Sequence, residues 1–179
     1  MEPNFRLYIQ QITYDGESFT NIGNAVDTFD EWGIACQSFP FKVLPEPKDY
    51  VTRDWLDEDG LDVYVPAQVK FKKYDLEAEF IFAGDTDDMR QNLKSFIRFL
   101  YGKNSQSGSP LLSIYDEYTG IGRRNVLVSG FDTTQFLHDN SEEDSVATFK
   151  VKFSVHDPVT DIVKSVNQQT GNVTLIVDS

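Results

Sequence analysis

The sequence predicts a mainly β protein, a β-sandwich or split barrel with one amphipathic α-helix packed on its flank. Three observations predict it. The stretches "YDLEAEFIFAG" and "VATFKVKFSVHDP" place an apolar residue at every second position, the period of a strand with one buried face. A single stretch, "DTDDMRQNLKSFIRFLYG", carries helical spacing instead. The elements run strands, helix, strands, without the strand–helix alternation of a parallel sheet.

Taken in order, "NFRLYIQQITYDG" sets Phe5, Leu7 and Ile9 against Arg6, Tyr8 and Gln10 and ends at Asp15-Gly16, a strand closed by a turn. In "WGIACQSFPFKVLPEPKDY", Pro40 confines the stretch to an edge, Pro45 and Pro47 open a loop, and Cys36 alternates with Ile34 as a small buried hydrophobe. In "AQVKFKKYDLEAEFIFAG" the apolar parity changes at Lys72-Lys73, which predicts a β-bulge keeping both apolar sets on one face. The helix is capped by Asp85 or Thr86, carries Asp87 and Asp88 in its first turn, and stops at Gly102. Its stripe of Met89, Leu93, Phe96, Ile97 and Leu100 reads as core, with Arg90, Gln91, Lys94 and Arg98 facing away. Then "LLSIYDEY" and "RNVLVSGFD" are strands around the loop "TGIGRR", Ala147 to Val155 is a strand ended by Pro158, and "GNVTLIVDS" is one more. The chain is read as one domain, 1–179. Strands without an assigned place occupy 1–48, an acidic loop 49–66, the core 67–161, and a C-terminal extension 162–179.

Composition narrows the function classes. The chain has 179 residues, 40% hydrophobic and 25% charged, enough for a buried core and too apolar for disorder. A net charge of −13 repels nucleic acid and anionic membranes. One cysteine excludes an intramolecular disulfide and a Cys-based zinc site, and His138 and His156 lack metal-ligand spacing. His138 reads as a loop residue and His156 as a polar-face one. No signal peptide is visible, and no stretch nears the roughly 20 apolar residues that span a bilayer. A soluble, cytoplasmic product is expected.

Two stretches resemble sites. "DWLDEDGLDVYVP", Asp54 to Pro66, holds five acidic residues and a glycine. Placing Gly60 at the sixth position of a calcium loop puts Asp59 and Asp57 correctly, but Trp55 falls at the first and Pro66 at the twelfth, where carboxylates are required. An acidic turn at Asp59-Gly60, anchored by Trp55 and Leu56, remains. In "TGIGRRNV", Gly120, Gly122, Arg123 and Arg124 lack a phosphate-loop pattern and precede a strand. That reads as a basic hairpin loop whose arginines meet an acidic neighbour subunit. Neither a catalytic residue, a metal nor a cofactor is expected. A carbohydrate- or protein-binding sandwich, and a hydrolase using an acidic pair among 29 carboxylates, stay open as alternatives.

The succession from "DGLDVYVP" through the long strand, "DDMRQNLKSFIRFLYG" and "PLLSIYDEYTGIGRRNVLVSGFD" to "FKVKFSVHDP" resembles the tail-tube and distal-tail (tail hub) proteins of tailed bacteriophages, over roughly residues 52–161. The resemblance implies a tail-tube-like fold and a structural role without catalysis. It implies a hexameric ring, stacked on other rings or joined to other tail proteins. DNA would pass through the lumen without specific binding, with no membrane and no small-molecule substrate. The protein would be made in the bacterial host cytoplasm and end in the virion tail. Distal-tail proteins usually carry a second domain, and this chain stops soon after the closing strand, which favours a single-domain tube or hub protein. Subunit contacts are expected at the Pro45–Pro66 loop, the Lys103–Pro110 loop and "NVTLIVDS", with Trp55, Asp57, Asp59, Arg123 and Arg124 as interface candidates.

Overall fold

In a computed structural model, which describes residues 5–132, 134–138 and 144–179, the described residues form twelve strands and two helices. The strands are β1 (Leu7–Tyr14), β2 (Phe19–Asp27), β3 (Ile34–Ser38), β4 (Val51–Arg53), β5 (Asp62–Tyr64), β6 (Tyr74–Asp85), β7 (Leu112–Asp116), β8 (Ile121–Phe131), β9 (Gln135–His138), β10 (Asp144–Val155), β11 (Ile162–Val166) and β12 (Val173–Val177). The helices are α1 (Thr28–Trp32) and α2 (Thr86–Leu100). Ten strands make one curled antiparallel sheet in the order β11-β12-β2-β1-β7-β8-β10-β6-β3, with β9 beside β10, while β4 and β5 pair only with each other. This is the mainly β, sandwich-like architecture with a flanking helix that the sequence predicts.

The centre is the β6–β10 pair, in register from Tyr74↔Val155 to Asp85↔Asp144. Tyr74, Leu76, Ala78, Phe80 and Phe82 point inward opposite Ala147, Phe149, Val151, Phe153 and Val155, and all are buried. The outward faces carry a charge ladder. Lys150 Nζ lies 3.1 Å from Glu77 and 3.0 Å from Glu79, and Lys152 Nζ lies 3.1 Å from Asp132. Opposite charges across neighbouring strands suit a face in water.

Helix α2 lies on the inner face. Its N-cap is Asp85, whose carboxylate accepts from the Asp87 amide, and Gly102 follows its end with positive φ. Phe96 is fully buried, 5.4 Å from the Phe80 ring and 6.0 Å from Phe149. Met89 and Leu100 are buried beside it and Leu93 partly so, but Ile97 is 37% exposed. The stripe is therefore core along one side and open along the other.

The sheet curls so that β11 and β12 cover the second face of β1 and β7. Gln10, expected on a wet face, is buried there: its Nε2 donates to Gly23 O at 2.8 Å and its Oε1 accepts from Leu175 N at 2.7 Å. Gln11 points the other way, donating to Phe99 O and to Asn104 Oδ1. Strand β1 is thus covered on both sides, and its buried amides are satisfied. The closure depends on a close approach, because a Cβ at Gly122 would collide with the Ile162 carbonyl oxygen.

Four expectations are corrected. A second helix, α1, exists; Asp27 caps its N-terminus by accepting from Phe29 N and Asp30 N, and Gly33 ends it at φ 67. That left-handed conformation is strained for any side chain bearing a Cβ. Its Trp32 is buried against Phe96 and Phe99 at 5.2 and 5.1 Å. There is no β-bulge at Lys72-Lys73. The strand starts at Tyr74, Val69 is exposed, and Phe71 only bridges Pro47. "TGIGRR" is not a loop, since β8 begins at Ile121 and the turn is over by Gly120. Finally, β2, β4, β5, β9 and β11 are strands that the sequence reading leaves unassigned. His138 lies at the end of β9, and its side chain falls outside the described residues, whereas His156 is exposed.

Candidate assembly interface

Two prolines and a backbone clamp start the region of interest. Lys48 N donates to Lys70 O and Lys72 N to Glu46 O, each at 2.7 Å, around the Pro47↔Phe71 bridge. Lys42–Glu46 and Lys72–Asp49 ion pairs flank this stem at 2.9 and 2.8 Å. Beyond it, β4 and β5 pair Val51↔Tyr64, Thr52↔Val63 and Arg53↔Asp62. The result is an arm. Every residue from 46 to 65 is exposed.

The arm's tip is organised by Trp55. Its Nε1 donates to Asp62 Oδ2 at 2.9 Å, and the Arg53 guanidinium stacks 3.6 Å above its ring. Gly60 turns the chain at φ 95, as expected for the acidic turn. Asp57, Glu58 and Asp59 face solvent around Leu56, which is 109% exposed, and Leu61 is exposed beside them. Val51, Val63, Tyr64 and Val65 are also uncovered. A two-stranded hairpin with neither face covered is marginal in water, and a contiguous apolar surface on a monomer marks an interaction site. Among the described residues, no group of three or more His, Cys, Asp or Glu side chains is arranged to hold a metal ion.

The two arginines part company. Arg123, expected on a surface loop, is 5% exposed on β8. Its Nη1 donates to Gly122 O and pairs with Asp161, while Nε has no hydrogen-bond partner. Its charge is spent within the chain, tying β8 to the start of β11. Arg124 is half-buried, 3.0 Å from Asp157 Oδ2 and 4.5 Å from the Phe19 ring centroid. Burial raises the Asp157 carboxyl, but the Thr160 amide and hydroxyl, the Arg124 guanidinium and the Val159 amide outweigh it and hold the carboxyl below its ordinary value. Neither arginine adjoins the arm in sequence or in the sheet. Cys36 is half-buried against the core, where desolvation and then the charge of Asp116 raise its thiol and keep it protonated.

A second surface escaped the sequence reading. The open side of α2 and the far end of the sheet enclose a groove of about 670 Å³. Met89, Leu93 and Ile97 form one wall, and Phe131, Phe136 and Phe149 the other. Arg90, Lys94 and Arg98 stand along its rim, one helical turn apart, and no ion pair to them occurs among the described residues. The available signal was Phe136, which with Leu137 interrupts a polar stretch and is 48% exposed. Among the described residues, no helix is long and apolar enough to cross a membrane. No protein-family model matches the chain, and no curated protein matches it.

Proposed function

We propose that this protein is a structural component of a bacteriophage or prophage tail, a ring-forming tail-tube or distal-tail protein without catalytic activity. The observation that carries the assembly half of this reading is the arm. It projects uncovered apolar side chains and acids from a body that is otherwise well packed. Such a surface is stabilised by burial against another chain. The tail half rests on the sequence resemblance, together with a curled antiparallel sheet bearing a flanking helix. The net charge of −13 suits a channel for DNA, because a predominantly acidic surface forms few counterion-releasing phosphate contacts.

The test is the mass of the assembled species. Native mass spectrometry and light scattering across a concentration series should show a closed oligomer, a hexamer under this reading, growing at the expense of monomer. A strict monomer at every concentration overturns the proposal.

A further inference from the structure

The arm and the α2 groove belong to one chain and have matching chemistry. The arm's tip presents Leu56 and Leu61 among Asp57, Glu58 and Asp59. The groove offers an apolar floor rimmed by Arg90, Lys94 and Arg98. They lie at opposite ends of β6. The arm leaves the body just before Tyr74, while the groove flanks the Phe80–Phe82 end, where Phe149 pairs with Phe80 and Phe136 of β9 pairs with Ala147 of β10. The eight steps along the strand from Tyr74 to Phe82 span about 27 Å.

We infer that the tip of one copy's arm docks in the α2 groove of the next copy, Leu56 and Leu61 entering the groove and the acids meeting its basic rim. Charge complementarity selects the occupant. On a strongly acidic chain, this rim is a place where an acidic segment gains rather than loses on approach. The two surfaces differ, so the contact is head-to-tail and repeats from copy to copy, as a ring requires. The inference rests on the assembly reading and specifies which surfaces meet.

Charge swapping tests it. Arg90→Glu, Lys94→Glu and Arg98→Glu together should raise the concentration at which the oligomer dissociates by about tenfold or more. Asp57→Lys, Glu58→Lys and Asp59→Lys together should do the same, and the combined chain should recover assembly. Independently, with Cys36 replaced by Ser, a Leu56→Cys chain oxidised with an Ile97→Cys chain should give the mixed disulfide-linked dimer about tenfold or more faster than either chain couples with itself. If the wild type assembles but ignores both reversals and the cysteines do not link, the docking inference falls and the ring reading stands. If the wild type is monomeric yet the mixed cysteines link efficiently, the arm–groove contact stands and the ring reading falls. A monomer with no link removes both.

Discussion

Asp27 is buried and Asp157 half-buried, and they respond to pH in opposite directions. Asp27 caps α1 through Oδ1, while its Oδ2 has no hydrogen bond and only Arg6 Nη1 at 3.4 Å. Desolvation wins over the Phe29 and Asp30 amides and raises its carboxyl. Its contribution is therefore greatest below the ordinary carboxylate value and is lost as pH rises through the raised folded value. Asp27→Asn keeps a capping oxygen without the buried charge, so it should equal or exceed the wild type in urea unfolding at pH 7. Asp27→Ala should lose about 0.5–2 kcal/mol. An Asn variant as weak as the Ala variant would refute this account. Asp157, held below its ordinary value, has the reverse sign: its stabilisation is complete above that value and is lost as pH falls through the depressed one. Asp157→Asn should cost about 1–2 kcal/mol at pH 7, and the difference from wild type should close in acid.

At the scale of elements, α2 and the arm are predicted to behave oppositely under mutation. Phe96 is wedged between Phe80, Phe149 and Trp32, so Phe96→Ala should cost about 3–5 kcal/mol. Leu56→Asp with Leu61→Asp touches only exposed positions, so it should leave protomer stability within about 0.5 kcal/mol while weakening assembly. Calorimetry on the monomer, paired with native mass spectrometry, separates the two effects. The same contrast explains what was legible in the sequence. Strands β6 and β10 and helix α2 each repeat one period long enough to be read, because one face is wet and the other dry. Strand β1 reads as a strand, yet its polar parity misleads: Gln10 is buried because β12, distant in sequence, supplies its partner. Helix α1 has five residues and is held by a cap and by Trp32 rather than by periodicity. Strand β2 mixes exposed and half-buried residues and shows no clean alternation. The acidic turn was legible in the arm, but its three-residue strands were not, and the α2 groove was hidden because the stripe alone cannot say which half the sheet will cover.

For the whole molecule, the closure of the curled sheet is the point of greatest leverage. Gly122→Ala forces a methyl against the Ile162 carbonyl, at the place where Arg123 pairs with Asp161. A cost of about 1–3 kcal/mol is expected from overpacking, and amide exchange should rise in β11 and β12 before it rises in β6. Uniform loosening of the sheet would contradict that assignment.

The clamped stem, Glu46–Lys48 against Lys70–Lys72, has a geometrical meaning beyond anchoring the arm. In a closed assembly built from one repeated contact, the rotation between neighbours sets how many copies complete the circle. Under the arm–groove contact proposed above, the stem would act as a protractor that sets this rotation, and Pro45, Pro47 and Pro66 limit how far it can bend. Substituting these prolines should broaden the distribution of copy numbers, or open circles into filaments, while each individual contact keeps its strength.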